Sequence, residues 1–365
     1  MSDFWFEVRS QFPALEQWVF LNTATYGQLP RRAVEAMQAH LERRDQFACA
    51  DFLEWFDDAD RIREQLGRLI GCAPDDIAFI PNASTALSTL LTGLRWEPGD
   101  RIVTLENEFP NNLYIPALCQ GHGVEFVESR WEDLYRNLTP RTRLVAISTV
   151  NYSTGFRPPI EEVSARLRER GILLYLDGTQ SVGALRLDIR AVKPSMVAVD
   201  AYKWLLAPNG AAFMYVSPEL RKILAPAVVG WRSDRGWRQV NCLSHGVPIF
   251  KESAEKYEGG MLNFPSLYAM QASVEMMLEI GPERIERRVL ELADLARDIL
   301  RSKGAVILHN NSPIVAARFE NRDAAALAQH LKSLKILVSA RHGNLRVSTH
   351  FYNTEADLDA LAANL

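Results

Sequence analysis

The sequence predicts an α/β protein: a large domain with a mostly parallel seven-stranded sheet between helices, followed by a smaller α+β domain. Two observations carry this. Seven short apolar runs, rich in the β-branched and aromatic residues that suit buried strands, alternate with longer stretches of helical period. Repeated strand–helix–strand units give parallel strands covered by helices on both faces. After about residue 265 the texture changes to a long helical region and then to short strands and helices, which marks a second unit.

Along the chain, helical patterns at 30–44 and 57–70 precede the sheet and pack beside it. The strands are IAFI (77–80), RIVTLE (101–106), VEFV (124–127), RLVAIST (143–149), ILLYL (172–176), MVAV (196–199) and AAFMYV (211–216). Helices at 84–94, 111–120 and 160–170 lie between them, the last closed by Gly171, a residue free to take the backbone conformation that ends a helix. Beyond residue 265 a helical region, 267–300, is broken at Gly281-Pro282. Short strands follow around Val306, Val315 and Leu345, with helices at 324–334 and 355–365. These elements place the domains at 16–264 and 265–365, with residues 1–15 packing on the smaller one.

Composition excludes several classes of function. With 365 residues, 47% hydrophobic and 24% charged, the chain has ordinary globular composition and enough length to bury a large core, so extensive disorder is excluded. A net charge of −4 without a Lys/Arg block argues against nucleic-acid binding, which depends on clustered cations. The longest apolar runs fall far short of the roughly 20 residues of a membrane-spanning helix. The first 18 residues carry charges through their apolar positions, unlike a signal peptide, and the expected location is the cytoplasm. Cys49, Cys72, Cys119 and Cys242 form no CxxC pair or metal-spaced cluster, so neither a disulfide framework nor a metal site is expected.

In an open α/β sheet ligands bind at the carboxyl ends of the strands, so polar residues after each apolar run are the candidates for chemistry. ILLYL runs into Asp177 and Gln180, RLVAIST into Asn151, and MVAV into Asp200, Tyr202 and Lys203. A lysine between Tyr202 and Trp204 lies in partly apolar surroundings, which lower its pKa and make it a usable amine nucleophile. Ser84 and Thr85 open a helix directly after a strand, where unpaired N–H groups and hydroxyls favour a phosphate. Taken singly, each feature is common: a turn-capping aspartate, a snorkelling lysine, a helix cap. Their combination, an anion cradle followed by a strand-end carboxylate and then a lysine, is not.

On these residues the chain resembles the fold type I pyridoxal-5′-phosphate enzymes of the class V aminotransferase superfamily, which includes cysteine desulfurases, selenocysteine lyases, kynureninases and isopenicillin N epimerase-like proteins. The resemblance runs from FLNTATYGQLP (20–30) through DGTQSVGAL and YKWLLAPNG to LRVSTHFYNT (345–354). It implies that Lys203 holds pyridoxal 5′-phosphate as a Schiff base and moves protons. Asp177 would pair with the pyridine nitrogen, Gln180 and Asn151 would bond the phenolic oxygen, and Phe109 would stack on the ring. Ser84, Thr85 and Tyr202 would hold the phosphate, and Arg346 would clamp a substrate carboxylate. It further implies a homodimer acting on a small amino acid or amine, with transamination as the first choice of reaction and C–S β-elimination, then racemisation or epimerisation, as the alternatives.

Departures narrow the reading. The stretch LVSARHGNLRVS lacks the loop cysteine of desulfurases, Met261 stands where many relatives have a phosphate-binding threonine, and Asp200 replaces a small or hydroxyl residue. The Trp- and Arg-rich segment 229–256 is expected to border the site, with Trp231, Arg232, Trp237 and His245 as candidate substrate readers and Cys242 as a conceivable thiol.

Overall fold

Six of the seven apolar runs become strands buried on both faces, and the seventh, at the sheet's edge, is partly open to solvent. In the computed structural model, which describes residues 3–239, 241 and 245–365, the chain opens with helix α1 (Asp3–Ser10) and strand β1 (Val19–Phe20), then helices α2 (Arg31–Phe47) and α3 (Glu54–Ile70). The sheet proper begins with β2 (Ile77–Ile80), followed by α4 (Ala83–Gly93), β3 (Arg101–Leu105), α5 (Pro110–Leu118) and β4 (Glu125–Ser129). It continues through β5 (Thr142–Ser148), α6 (Ile160–Glu169), β6 (Leu173–Asp177), α7 (Ile189–Val192), β7 (Met196–Asp200), β8 (Ala212–Val216) and α8 (Pro218–Ile223).

The strand order is β2-β8-β7-β6-β5-β3-β4. All strands point the same way except β8, which is antiparallel to both β7 and β2. Along β5, Val145 and Ile147 enter the core on one face while Leu144 and Ala146 enter that on the other, the period of two that a doubly covered strand requires.

A second sheet follows two long helices, α9 (Phe264–Ile280) and α10 (Pro282–Ser302). They are separated at Gly281, whose φ of +93° a side chain would resist. Next come β9 (Val306–Ile307), β10 (Ile314–Arg318), α11 (Ala324–Ser333), β11 (Ile336–Leu337), β12 (Ser339–Arg341), β13 (Asn344–Ser348) and α12 (Glu355–Ala363). The antiparallel order is β12-β13-β10-β9, and a separate core forms under it from residues such as Leu292, Val315, Leu345 and Leu358.

The amino-terminal segment ties into this part. β1 pairs with β11 in parallel, Arg9 meets the carboxylate of Asp357 at 2.8 Å, and Phe12 packs 4.8 Å from the ring of Tyr352. Among the described residues no helix is long and apolar enough to cross a membrane, and no group of His, Cys, Asp and Glu could hold a metal ion.

Candidate active site

Adjacent strands end in polar side chains at the carboxyl edge of the large sheet. Ser148 ends β5 opposite Asp177, which ends β6, and Asp200 ends β7. The turn from β7 to antiparallel β8 carries Lys203 over the same edge. Phe109, Asp177, Gln180 and Lys203 thereby line one small cavity together with Tyr152 and Asp200. A larger cavity of about 1250 Å³ opens at the opposite edge beside Cys72, Arg168 and Lys193, and contains none of the residues expected to do chemistry.

Lys203 is 7% exposed, with its Nζ 5.3 Å from the ring centres of both Phe109 and Tyr202. Burial lowers its pKa; Asp177 and Asp200 oppose that shift, and Arg346 and Arg341 add to it. Two glycines let the backbone around it pack closely. A side chain at Gly27 would meet the Lys203 carbonyl oxygen at 1.9 Å, and one at Gly183 (φ +104°) would meet that of Trp204 at 2.3 Å. The lysine is thus held from both sides.

The other predicted residues fall into two groups. One Asp177 oxygen accepts the Thr179 N–H at 2.9 Å, and among the described residues the other takes no protein donor, leaving it available to a ligand N–H. Gln180 accepts the Trp204 indole N–H at 2.8 Å and donates to the Ala24 carbonyl at 3.0 Å, with one N–H left. Phe109 presents its ring to the lysine and stands 5.2 Å from that of Tyr152.

Asn151 is placed differently. Its Oδ1 accepts four donors from Ser153 and Thr154 and its Nδ2 donates to Asn107, so its amide organises a turn. It lines a second cavity that shares Ser148 with the first. Tyr202 packs its ring 4.9 Å from that of Tyr26.

Ser84 and Thr85 stand in the first turn of α4, with the Thr85 hydroxyl donating to Asn82. Asp200 reaches the same place: its Oδ1 accepts the Ala83 N–H at 2.8 Å. Burial, reinforced by Asp177, pushes the Asp200 carboxyl up to about 6, while the Ala83 bond and Lys203 pull the other way.

The sign of the consequence is fixed. A carboxyl whose folded pKa is raised costs nothing at low pH, and its cost grows from about 3.8 and is complete above about 6. Asp200→Asn keeps an acceptor for Ala83. In the cofactor-free state this variant is expected to gain up to about 3 kcal/mol at pH 8, and roughly 1 kcal/mol less at pH 5. Urea unfolding at the two pH values measures this; an advantage that fails to grow with pH would mean that Asp200 is ionised throughout.

Arg346 lies on β13, 1% exposed. It donates to Ser339 Oγ (3.0 Å), the Tyr152 carbonyl (2.5 Å) and Thr25 Oγ1 (2.5 Å), all neutral acceptors. Burial first, then Arg341, push its pKa down to about 9, which still leaves it charged at neutral pH. Sequence reasoning missed Thr25, Tyr152 and Arg341 as site residues, and it missed Glu108. That carboxyl is fully buried beside Ser148 and Asn112, and its pKa is raised by burial against the hydrogen bonds it accepts.

The segment 229–256 corrects an expectation. Arg232 and Trp237 do not face a substrate; Arg232 is wholly buried, packed on the rings of Phe56 and Trp237 and paired with Glu255 and Glu258. A buried guanidinium needs such partners, and here they make it a staple of the core. Trp231 packs 5.3 Å from Trp237, and His245 is exposed. Cys242 lies outside the described residues. Cys49, Cys72 and Cys119 are free thiols and none lines the lysine cavity.

These groups fit pyridoxal 5′-phosphate: a buried amine, a carboxylate oxygen without a protein donor, an aromatic face and a helix amino terminus converge at one edge. Burial moves Asp200 toward the neutral acid, and its Oδ1 is turned to the Ala83 N–H, which lessens its repulsion of a phosphate there.

Comparison with known proteins agrees with this geometry. The model of the aminotransferase class V family matches residues 19–361. Isopenicillin N epimerase of Streptomyces clavuligerus is 29% identical over 98% of this chain and 96% of its own length. A probable cysteine desulfurase of Methanothermobacter thermautotrophicus is 24% identical over 98% and 96%. The structure of the cystine C–S lyase C-DES with its product cysteine persulfide superposes with a TM-score of 0.89 at 22% identity, over 97% of this chain and 98% of the other. The chain belongs to the aminotransferase class V family of pyridoxal-5′-phosphate enzymes.

Proposed function

We propose that the enzyme binds pyridoxal 5′-phosphate through Lys203 and transaminates a small amino acid. The observation that carries this reading is a buried lysine of lowered pKa beside Asp177, near a buried arginine that has only neutral partners. Bound pyridoxal phosphate supplies an electron sink that makes the α-proton of an attached amine removable.

The chain's own residues supply the rest. Asp177, with one oxygen held by Thr179, is set to receive the ring N–H. Phe109 offers a face to the ring, Gln180 has one N–H left for the phenolic oxygen, and Asn151 shapes the turn beside it. Ser84, Thr85 and Tyr202 surround the phosphate end together with Asp200, whose carboxyl is pushed up to about 6. Arg346 fixes the amino acid by its carboxylate, which aims the α-hydrogen at Lys203. Lys203, the lysine lining this cavity, then serves as the single base that takes a proton from one carbon and returns it to another, which is the proton movement transamination requires.

A homodimer in the cytoplasm belongs to the same reading. The dimer is supported by the exposed apolar side chains Val34 and Leu41, seven residues apart on α2, and by exposed Tyr26 beside the lysine turn. A persulfide-forming desulfurase is not supported, because residues 336–348 contain no cysteine.

The test is a visible spectrum of the cofactor-loaded protein titrated with a panel of amino acids, with keto acid, pyruvate, ammonia and sulfide assayed in parallel and sedimentation reading the dimer. Conversion to the pyridoxamine form with one equivalent of keto acid is expected. Pyruvate with ammonia or sulfide would replace transamination with a β-lyase; inversion at the α-carbon without net product would mean an epimerase.

A further inference from the structure

Arg341 is the cation that the reading above leaves unexplained. On the antiparallel pair β12–β13, Ser339 stands opposite Arg346 and Arg341 opposite Asn344, so Arg341 and Arg346 are diagonal neighbours on one face. They converge on a single atom: Thr25 Oγ1 lies 2.5 Å from Arg346 Nη2 and 3.4 Å from Arg341 Nη2.

Arg341 is also held in place. Its Nη1 donates to the Ala340 carbonyl at 2.8 Å, and Asn344 Nδ2 donates to the carbonyls of Arg341 and His342. The Tyr152 hydroxyl meets His342 Nε2 at 2.8 Å, which fastens this turn to the wall of the lysine cavity. Among the described residues neither arginine pairs with a carboxylate; every acceptor is a hydroxyl or a carbonyl.

Two guanidinium groups side by side, one wholly buried, repel each other, and a fold does not gain by holding them so without an anion between or beside them. One α-carboxylate satisfies one guanidinium through two parallel hydrogen bonds. Asp177 and Asp200 lie on the far side, about Lys203 and the start of α4. The arginine pair, which reaches the cavity wall through Tyr152 and acts on the charge of Lys203, therefore carries one positive charge more than a single α-carboxylate neutralises.

We propose that the substrate is an amino acid whose side chain carries a second carboxylate, and that Arg341 is the residue that reads it. The inference rests on the proposed function, because it takes Arg346 as the holder of the α-carboxylate. Recognition through a desolvated charge pair discriminates strongly against the amide isostere, which offers the arginine no countercharge and leaves it unpaired.

The experiment uses cofactor-loaded protein and reads half-saturation of the spectral change, with L-aspartate and L-glutamate set against L-asparagine and L-glutamine. The acids are expected to half-saturate at concentrations roughly 10- to 100-fold below their amides. Arg341→Gln should raise the values for the acids to those of the amides while leaving the amides within about threefold, and Arg341→Lys should retain part of the preference. A structural role alone would not move that ratio.

Absence of a preference in the wild type overturns the inference. So does an Arg341→Gln variant that weakens acids and amides equally, which would put both arginines on the α-carboxylate. If no amino acid changes the spectrum, the proposed function itself fails and takes this inference with it, an outcome distinct from the other two.

Discussion

Lys203→Ala is expected to remove the visible absorption that a lysine Schiff base gives to the cofactor-loaded enzyme, and to lower turnover by at least roughly 10²–10⁴-fold, the contribution of a positioned proton-transfer group. The fold should survive. Lys203 is 7% exposed and burial disfavours its charge, so alanine removes a desolvated amine and leaves a cavity that already opens to ligand. What remains is less comfortable electrostatically, because Asp177 and Asp200 lose the amine between them. Cofactor is expected to bind more weakly and to leave on gel filtration. The measurement is a spectrum before and after desalting beside a far-ultraviolet circular dichroism trace. A visible band that persists in the variant would mean that another group holds the cofactor.

The second large effect concerns Arg346. Arg346→Gln is expected to lower kcat/KM for an amino acid by roughly 10²–10⁴-fold, since two charge-assisted hydrogen bonds to a carboxylate are each worth about 1.5–3 kcal/mol. The amine that lacks only that carboxylate should be turned over equally, if slowly, by both proteins. This pairing separates a carboxylate clamp from a structural arginine. Its bonds to Ser339, Thr25 and the Tyr152 carbonyl tie three segments together, and a purely architectural role would lower activity on amine and amino acid alike.

Much of this architecture is legible in the sequence, for identifiable reasons. Strands such as 196–200 and 212–216 are buried on both faces, so a continuous apolar run is the only pattern that satisfies them. The edge strand is harder. VEFV suggests 124–127, whereas β4 covers Glu125–Ser129, because pairing with β3 from Arg101 to Leu105 decides an edge strand's extent and its outward side chains need not be apolar. The pairing of β1 with β11 involves two residues from each end of the chain, too few to leave a periodic signature.

The site divides in the same way. Asp177 and Lys203 follow apolar runs directly, and strand-end placement finds them. Thr25 and Arg341 meet from positions 316 residues apart, and no local pattern announces that approach. Glu108 was passed over because it follows no apolar run directly, while its burial comes from Ser148 and Asn112 folding over it. Asn151 was read by position alone, and the four donors that occupy its carbonyl come from the turn it caps. Arg232 was read as a candidate substrate reader because its partners, Glu255 and Glu258, are too distant in sequence to announce the pairing.

The single reversed strand has a consequence for how the molecule is assembled. Because β8 runs against its neighbours, one row of backbone pairing joins Asp200 to Ala212 and Ala212 to Ile80. That row ties the lysine turn to the start of α4 across 132 residues of chain. Closing so long a loop is entropically slow work compared with forming the neighbouring βα units. The phosphate end and the amine end of the site do not exist as a pair until that closure is made. A partly folded chain can therefore own most of its sheet and still lack a place for the cofactor, and competence to bind the cofactor marks the end of folding rather than a stage along it.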